Sequence, residues 1–247
     1  MANTSETGHA KNVANFEKLV SNVTAMGSMY NPAKDSLSLS ALNALLASAK
    51  GILPQVHAAE AAYKHAISER EVAFKSLSKH ITRVNNALKA SSSSTRMDES
   101  VMTFIRKIQG RRASPKMNDE QKKIAEATGV VKNEISSSQL SFDNRLDYLD
   151  KLVKLLESIP EYAPHEAELT TASLVNLHNE LSQKNSEVVN AVVALANVRI
   201  DRDILLYSAL SGMVDISADI KMYVKSLYGA SDPHYKAISG LRFAKRH

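Results

Sequence analysis

The sequence predicts an all-α protein: a helical bundle of two tandem three-helix repeats with long central helices, related by a pseudo-two-fold. Three observations predict it. Shifting the chain by 132 positions lays Leu37 on Leu169, Leu42 on Leu174, Leu45 on Leu177, Val56 on Val188, Arg70 on Arg202 and Lys89 on Lys221 without a gap. Apolar residues recur at three- and four-residue spacings, with no sustained strand alternation. Only eight glycines and six prolines interrupt 247 residues, in a composition dominated by good helix formers.

The first helix begins near Asn12, where Val13, Phe16, Leu19, Val20, Val23 and Met26 share one face. Gly27 and Pro32 end it, and Asp35 or Ser36 suits the cap of the next. The second helix starts near Leu37 and presents Leu42, Leu45, Leu46, Ile52, Val56, Tyr63, Ile67 and Phe74. Pro54 predicts a kink or break near Gly51–Pro54, because proline removes a helical hydrogen bond. The apolar pattern continues through Ile81, Val84 and Leu88, and the serine run 91–94 reads as a flexible loop. Val101, Phe104, Ile105 and Ile108 form a short helix that ends at Gly110.

Residues 117–136 are polar and read as the linker between a first repeat, 1–116, and a second, 137–247, expected to share one core. Asp143 to Ile159 is a helix stopped by Pro160, and Glu168 to Tyr207 a long one with Ser186 at the place of Pro54. Ser211-Gly212 breaks the pattern before a helix from Val214 to Tyr228.

Composition narrows the function classes. The absence of cysteine excludes disulfides, thiolate metal sites and cysteine nucleophiles. No signal-like segment and no apolar run of membrane-spanning length is visible, so a cytoplasmic protein with no membrane partner is expected. The net charge of +5 is uneven: residues 37–96 hold eight Lys/Arg against three acids, and residues 138–216 hold six against twelve. Such polarity favours docking between the halves or between molecules.

The sharpest charged signal is the pair of triplets Glu69-Arg70-Glu71 and Asp201-Arg202-Asp203, which coincide in the two copies. They are expected to form a structural ion-pair centre, Arg70 with Asp203 and Arg202 with Glu71, since arginine's fork suits bidentate pairing. His57 and Glu60 stand one helical turn apart, as in helical metal sites, but the second copy has Val189 and Val192 there. Neither a metal, a cofactor nor a catalytic residue is implied, and no nucleophile elbow or phosphate loop is present. Arg106, Lys107, Arg111, Arg112 and Lys116 make a basic cluster suited to a polyanion such as nucleic acid. Tyr223, Tyr228, Tyr235 and Phe243 gather near the basic C-terminus, as aromatics do at protein contacts.

The segment Tyr223-Val-Lys-Ser-Leu-Tyr-Gly-Ala-Ser-Asp-Pro-His-Tyr-Lys-Ala-Ile-Ser-Gly-Leu-Arg-Phe243 resembles the ending of a family of bacterial proteins, mainly of the Bacteroidetes, with no assigned activity. Ser138–Leu146, Ile159–Pro164, Leu77–Arg83 and Ile105–Gly110 are similar to other stretches of it. The resemblance implies a bacterial, helical, duplicated protein and carries no catalytic residue. The function expected is therefore a non-enzymatic scaffold or self-assembling structural protein, with a protein partner or a second copy and no small-molecule substrate. The alternative is a polyanion-binding module using the 106–116 cluster.

Overall fold

The computed structural model describes residues 8–111 and 140–245. It is all-helical, with no strand among the described residues. The helices are α1 His9–Ala25, α2 Leu39–Lys75, α3 Leu77–Lys89, α4 Thr95–Gln109, α5 Phe142–Glu157, α6 Thr171–Tyr207, α7 Met213–Tyr228 and α8 Pro233–Ser239. No described helix is long and apolar enough to cross a membrane. The linker 117–136, Arg112 and Lys116 lie outside the described residues.

One expectation about helix limits is corrected. The break near Gly51–Pro54 is absent: α2 runs unbroken for 37 residues through Pro54. Pro54 is exposed, so the Lys50 carbonyl that lacks its usual donor faces the solvent side of the helix. The serine run is the loop expected between α3 and α4, and it caps α4: Ser94 accepts from the Met97 N–H, Ser93 donates to Asp98 at 2.6 Å, and Ser91 donates to the Leu88 carbonyl at 2.6 Å. The tail also holds one more helix than the spacing suggests, since Asp232 caps α8 and Pro233 pre-sets its first turn.

The chain forms two compact units, each assembled from non-contiguous segments. Unit 1 comprises residues 1–64 and 191–247, and unit 2 comprises residues 65–190. In unit 1 the α1 face predicted from sequence is buried, with Phe16, Leu19 and Val23 at 0% exposure. It packs with Leu37, Leu42, Leu206, Met213, Ile216, Ile220 and Ile238. Buried Asn12 and Asn15 clip the C-terminal tail: Asn12 exchanges two hydrogen bonds with Ala244, at 2.9 and 3.0 Å, and Asn15 donates to the Arg242 carbonyl at 2.7 Å.

In unit 2 the apolar faces of α3, α4 and α5 meet around Ile81, Leu88, Ile108, Leu149, Leu152 and Leu156. Gly110 ends α4 as predicted, at φ 66°, with Arg111 N–H returning to the Arg106 carbonyl at 2.8 Å. That double-bonded ending needs a left-handed residue, which glycine adopts freely.

Candidate functional site

Each arginine of the charged triplets has contacts within its own unit. Arg70, in unit 2, donates from Nη1 to Asn185 Oδ1 at 2.9 Å, and its guanidinium lies 4.0 Å from the Phe142 ring centroid. Asn185 in turn donates to Asp143 at 2.6 Å. Glu69 faces Lys184 at 3.7 Å. Phe142 stands edge-on to Phe74 at 4.8 Å, and the Arg145 guanidinium lies over the Phe74 ring at 5.2 Å. Burial lowers the Arg145 pKa from its ordinary value. The unit 2 triplet is thus held by an amide and by aromatic faces, a cation–π arrangement that suits a weakly hydrated guanidinium.

Arg202, in unit 1, is 6% exposed. Its Nε and Nη2 both donate to the neighbouring Asp203 Oδ1, at 2.8 and 2.7 Å. Within unit 1 the adjacent carboxylate thus reaches the Arg202 guanidinium at little entropic cost. Asp201 and Glu71 are both exposed positions on α6 and α2.

His57 and Glu60 stand one turn apart on α2. Glu60 accepts from Arg199 at 2.6 Å, and that bond holds its carboxyl below the usual range. Among the described residues no cluster of three His, Cys, Asp or Glu side chains has metal-binding geometry. His57 and Glu60 instead line a cleft of about 280 Å³ in unit 1. The first turn of α1, Leu53 and Val56 of α2, and Arg202 form the rest of its wall.

Of the basic cluster, Arg106, Lys107 and Arg111 lie at the C-terminal end of α4. Lys107 rests 4.6 Å above the Tyr148 ring. Arg83, nearby in sequence, is bound bidentately by Glu168 at 2.6 and 3.3 Å, which raises its pKa. The C-terminal aromatics pack on their own unit. Tyr223 meets Tyr30 edge-on at 5.3 Å, Tyr228 stacks on His234 at 4.7 Å, and Lys225 and Lys221 cover Tyr235 and Phe243.

The sequence reading missed an exposed apolar face on the unit 1 part of α6. Val192, Val193, Ile200 and Ile204 are 43–58% exposed. Val193, Ala196, Ile200 and Ile204 follow at spacings of three and four, one narrow stripe. The opposite side of the same helix buries Leu195, Arg202 and Leu206. The signal was present in the sequence, since a helix apolar on two faces needs two partners. At the positions 132 earlier the chain has Ala61, Lys64, Ser68 and Val72.

Comparison with protein-family models, with curated proteins and with solved structures finds no match to this chain.

Proposed function

We propose that this is a non-enzymatic, internally duplicated helical protein of bacterial cytoplasm that works by contact, and that a second copy of the chain is its first partner. The observation that carries the reading is the exposed stripe Val193–Ala196–Ile200–Ile204. Monomers rarely leave contiguous apolar surface uncovered, and such faces mark association sites. A stripe on one helix pairs with its own copy through a two-fold, the commonest symmetry of soluble oligomers. The polar residues Lys64 and Ser68 at the matching positions of the first copy mean that helix stability alone does not demand the stripe.

Duplication is supported by matched detail rather than by symmetry. Both long helices are 37 residues and begin 132 positions apart, as do the short 3-10 turns Asp35–Leu37 and Ala167–Leu169. A shift of 133 superposes the buried faces of α1 and α5, Phe16 on Leu149, Leu19 on Leu152 and Val23 on Leu156. One additional residue between Met26 and Tyr30 accounts for the difference.

Multi-angle light scattering over a concentration and salt series tests the proposal. The mass should rise above one chain with concentration, hold at high salt because the contact is apolar, and return to monomer in Ile200→Lys/Ile204→Lys. A monomer at every concentration and salt would remove the reading.

A further inference from the structure

We infer that α1 and α7 of unit 1 form a seat for a peptide, and that the ligand it takes in trans is the segment 241–245 of a second copy of the chain.

The seat is built from buried polar side chains. Asn12 and Asn15 lie on the face of α1 that also buries Phe16 and Leu19, at 1% and 7% exposure. A buried amide costs free energy unless it is hydrogen-bonded. Asn15 donates to the Arg242 carbonyl at 2.7 Å. Asn12 accepts from the Ala244 N–H at 3.0 Å and donates to the Ala244 carbonyl at 2.9 Å, with the Tyr207 hydroxyl 3.3 Å away. From α7, Lys221 donates to the Leu241 and Ser239 carbonyls, and Asp215 holds Lys245 at 2.8 Å. Leu241 and Phe243 rest against the unit 1 core, and the Lys221 ammonium lies 5.3 Å from the Phe243 ring centroid. Main-chain hydrogen bonds combined with places for chosen side chains are the means by which domains bind peptides. The side chains read here are apolar, aromatic and basic at every second position, Leu241, Phe243 and Lys245.

The occupant is a separable piece of chain. Residues 241–245 belong to no helix. The Leu241 N–H closes onto the Ile238 carbonyl, and no backbone–backbone bond holds residues 242–245 among the described residues. The side chains of α1 and α7 do the holding. Gly229, at φ 84°, separates α7 from α8 and offers a hinge ahead of the piece. A vacated seat would leave Asn12, Asn15 and Lys221 without these partners, so it takes up another copy of the same segment. Exchange between two chains keeps every bond of the seat and costs only the freedom lost in association, which makes swapping a low-cost route to a dimer. It rests on the reading that a second copy is the partner, and uses a surface other than the α6 stripe.

Fluorescence anisotropy with a labelled peptide of residues 240–247 tests the seat. The host is the full chain carrying Leu241→Ser/Phe243→Ser, whose own segment has lost its apolar anchors. Saturable one-to-one binding is expected there, and binding weaker by about tenfold or more to wild type, whose seat is filled. A peptide N-methylated at Ala244 keeps every side chain but lacks the N–H that Asn12 accepts, and should bind about tenfold more weakly. No saturation, or equal affinity of the N-methylated peptide, overturns the seat. Cross-linking tests the exchange. The sequence has no cysteine, so Asp215→Cys and Lys245→Cys can be placed in separate full chains, each also carrying Ile200→Lys/Ile204→Lys to remove the stripe. Asp215→Cys/Lys245→Cys in one chain selects a bismaleimide long enough to close the pair. That reagent should join the two mixed variants, and excess peptide should suppress the product. Peptide binding without such a product overturns the second copy as occupant. Because both variants lack the stripe, failure of the α6 contact leaves this result unchanged.

Discussion

The Tyr162 hydroxyl donates to the Leu169 carbonyl at 2.6 Å, across seven residues of turn that lead into α6. The same bond joins Tyr30 to Leu37 at 3.0 Å ahead of α2. Both rings are buried, at 7% and 5% exposure, and burial pushes each phenol up to about 12. The neutral phenol is thus the form that the fold accepts. Because the folded pKa lies above the ordinary value near 10, the stabilisation is complete below pH 10 and is lost as pH rises toward 12. Alkaline denaturation followed by circular dichroism should show a steep loss of stability over that window. Tyr162→Phe should flatten part of the slope and cost about 1 kcal/mol at neutral pH, the net worth of one buried hydrogen bond. An unchanged alkaline slope in Tyr30→Phe/Tyr162→Phe would show that the phenols are not responsible.

Those tyrosines also mark what the sequence could disclose. Local periodicity located α5 and α6 almost to the residue, because each side chain's burial follows from its own helix. The glycine stop at Gly110 and the break after Tyr207 were readable for the same reason. Partner choice was not. Arg70 and Arg202 share a sequence context, yet one meets Phe142 and Asn185 and the other meets Asp203. Those contacts depend on which segments fold together, and unit 1 joins residues 1–64 to 191–247. The cleft was hidden for the same reason, since His57 and Arg202 are far apart in the chain.

Arg70 tests whether the aromatic face or the charge matters in unit 2. Lysine keeps the charge but has neither a planar face for Phe142 nor the fork that reaches Asn185. Arg70→Lys should therefore destabilise the chain by about 1–2 kcal/mol, the sum of a partly desolvated cation–π contact and one hydrogen bond. Urea denaturation of Arg70→Lys beside Phe142→Leu measures it. A double variant no less stable than the worse single one would confirm that the two side chains act as one contact. Strict additivity would show that they act separately.

Leu210 is the one residue other than glycine with positive φ among the described residues, at 67°, and it is 81% exposed. It sits in the turn between α6 and α7, where its N–H donates to Asp215 at 3.0 Å. A leucine in the left-handed region carries strain from its Cβ without any burial to offset it. Leu210→Gly should raise stability by about 1 kcal/mol, less the entropy that glycine adds to the unfolded chain. A differential scanning calorimetry midpoint that falls instead would mean that the leucine side chain holds the turn.

Pro54 lies in the interior of α2, where it removes one backbone donor and crowds the preceding turn. In an ordinary helix interior such a residue costs about 3 kcal/mol relative to alanine. Here the cost is softened on one side. Pro54 is exposed, so the carbonyl it leaves unpaired, that of Lys50, is open to water rather than orphaned in the core. Alanine would restore the hydrogen bond and relieve the crowding without touching a buried contact. Pro54→Ala should thus raise the thermal midpoint, by about 1–3 kcal/mol of stability. The gain should appear as slower amide exchange at residues 50–58, since only the local ladder changes. Slower exchange there without a higher midpoint would place the effect in local fraying. A lower midpoint would mean that the packing of α2 within unit 1 depends on the backbone shape that the proline imposes.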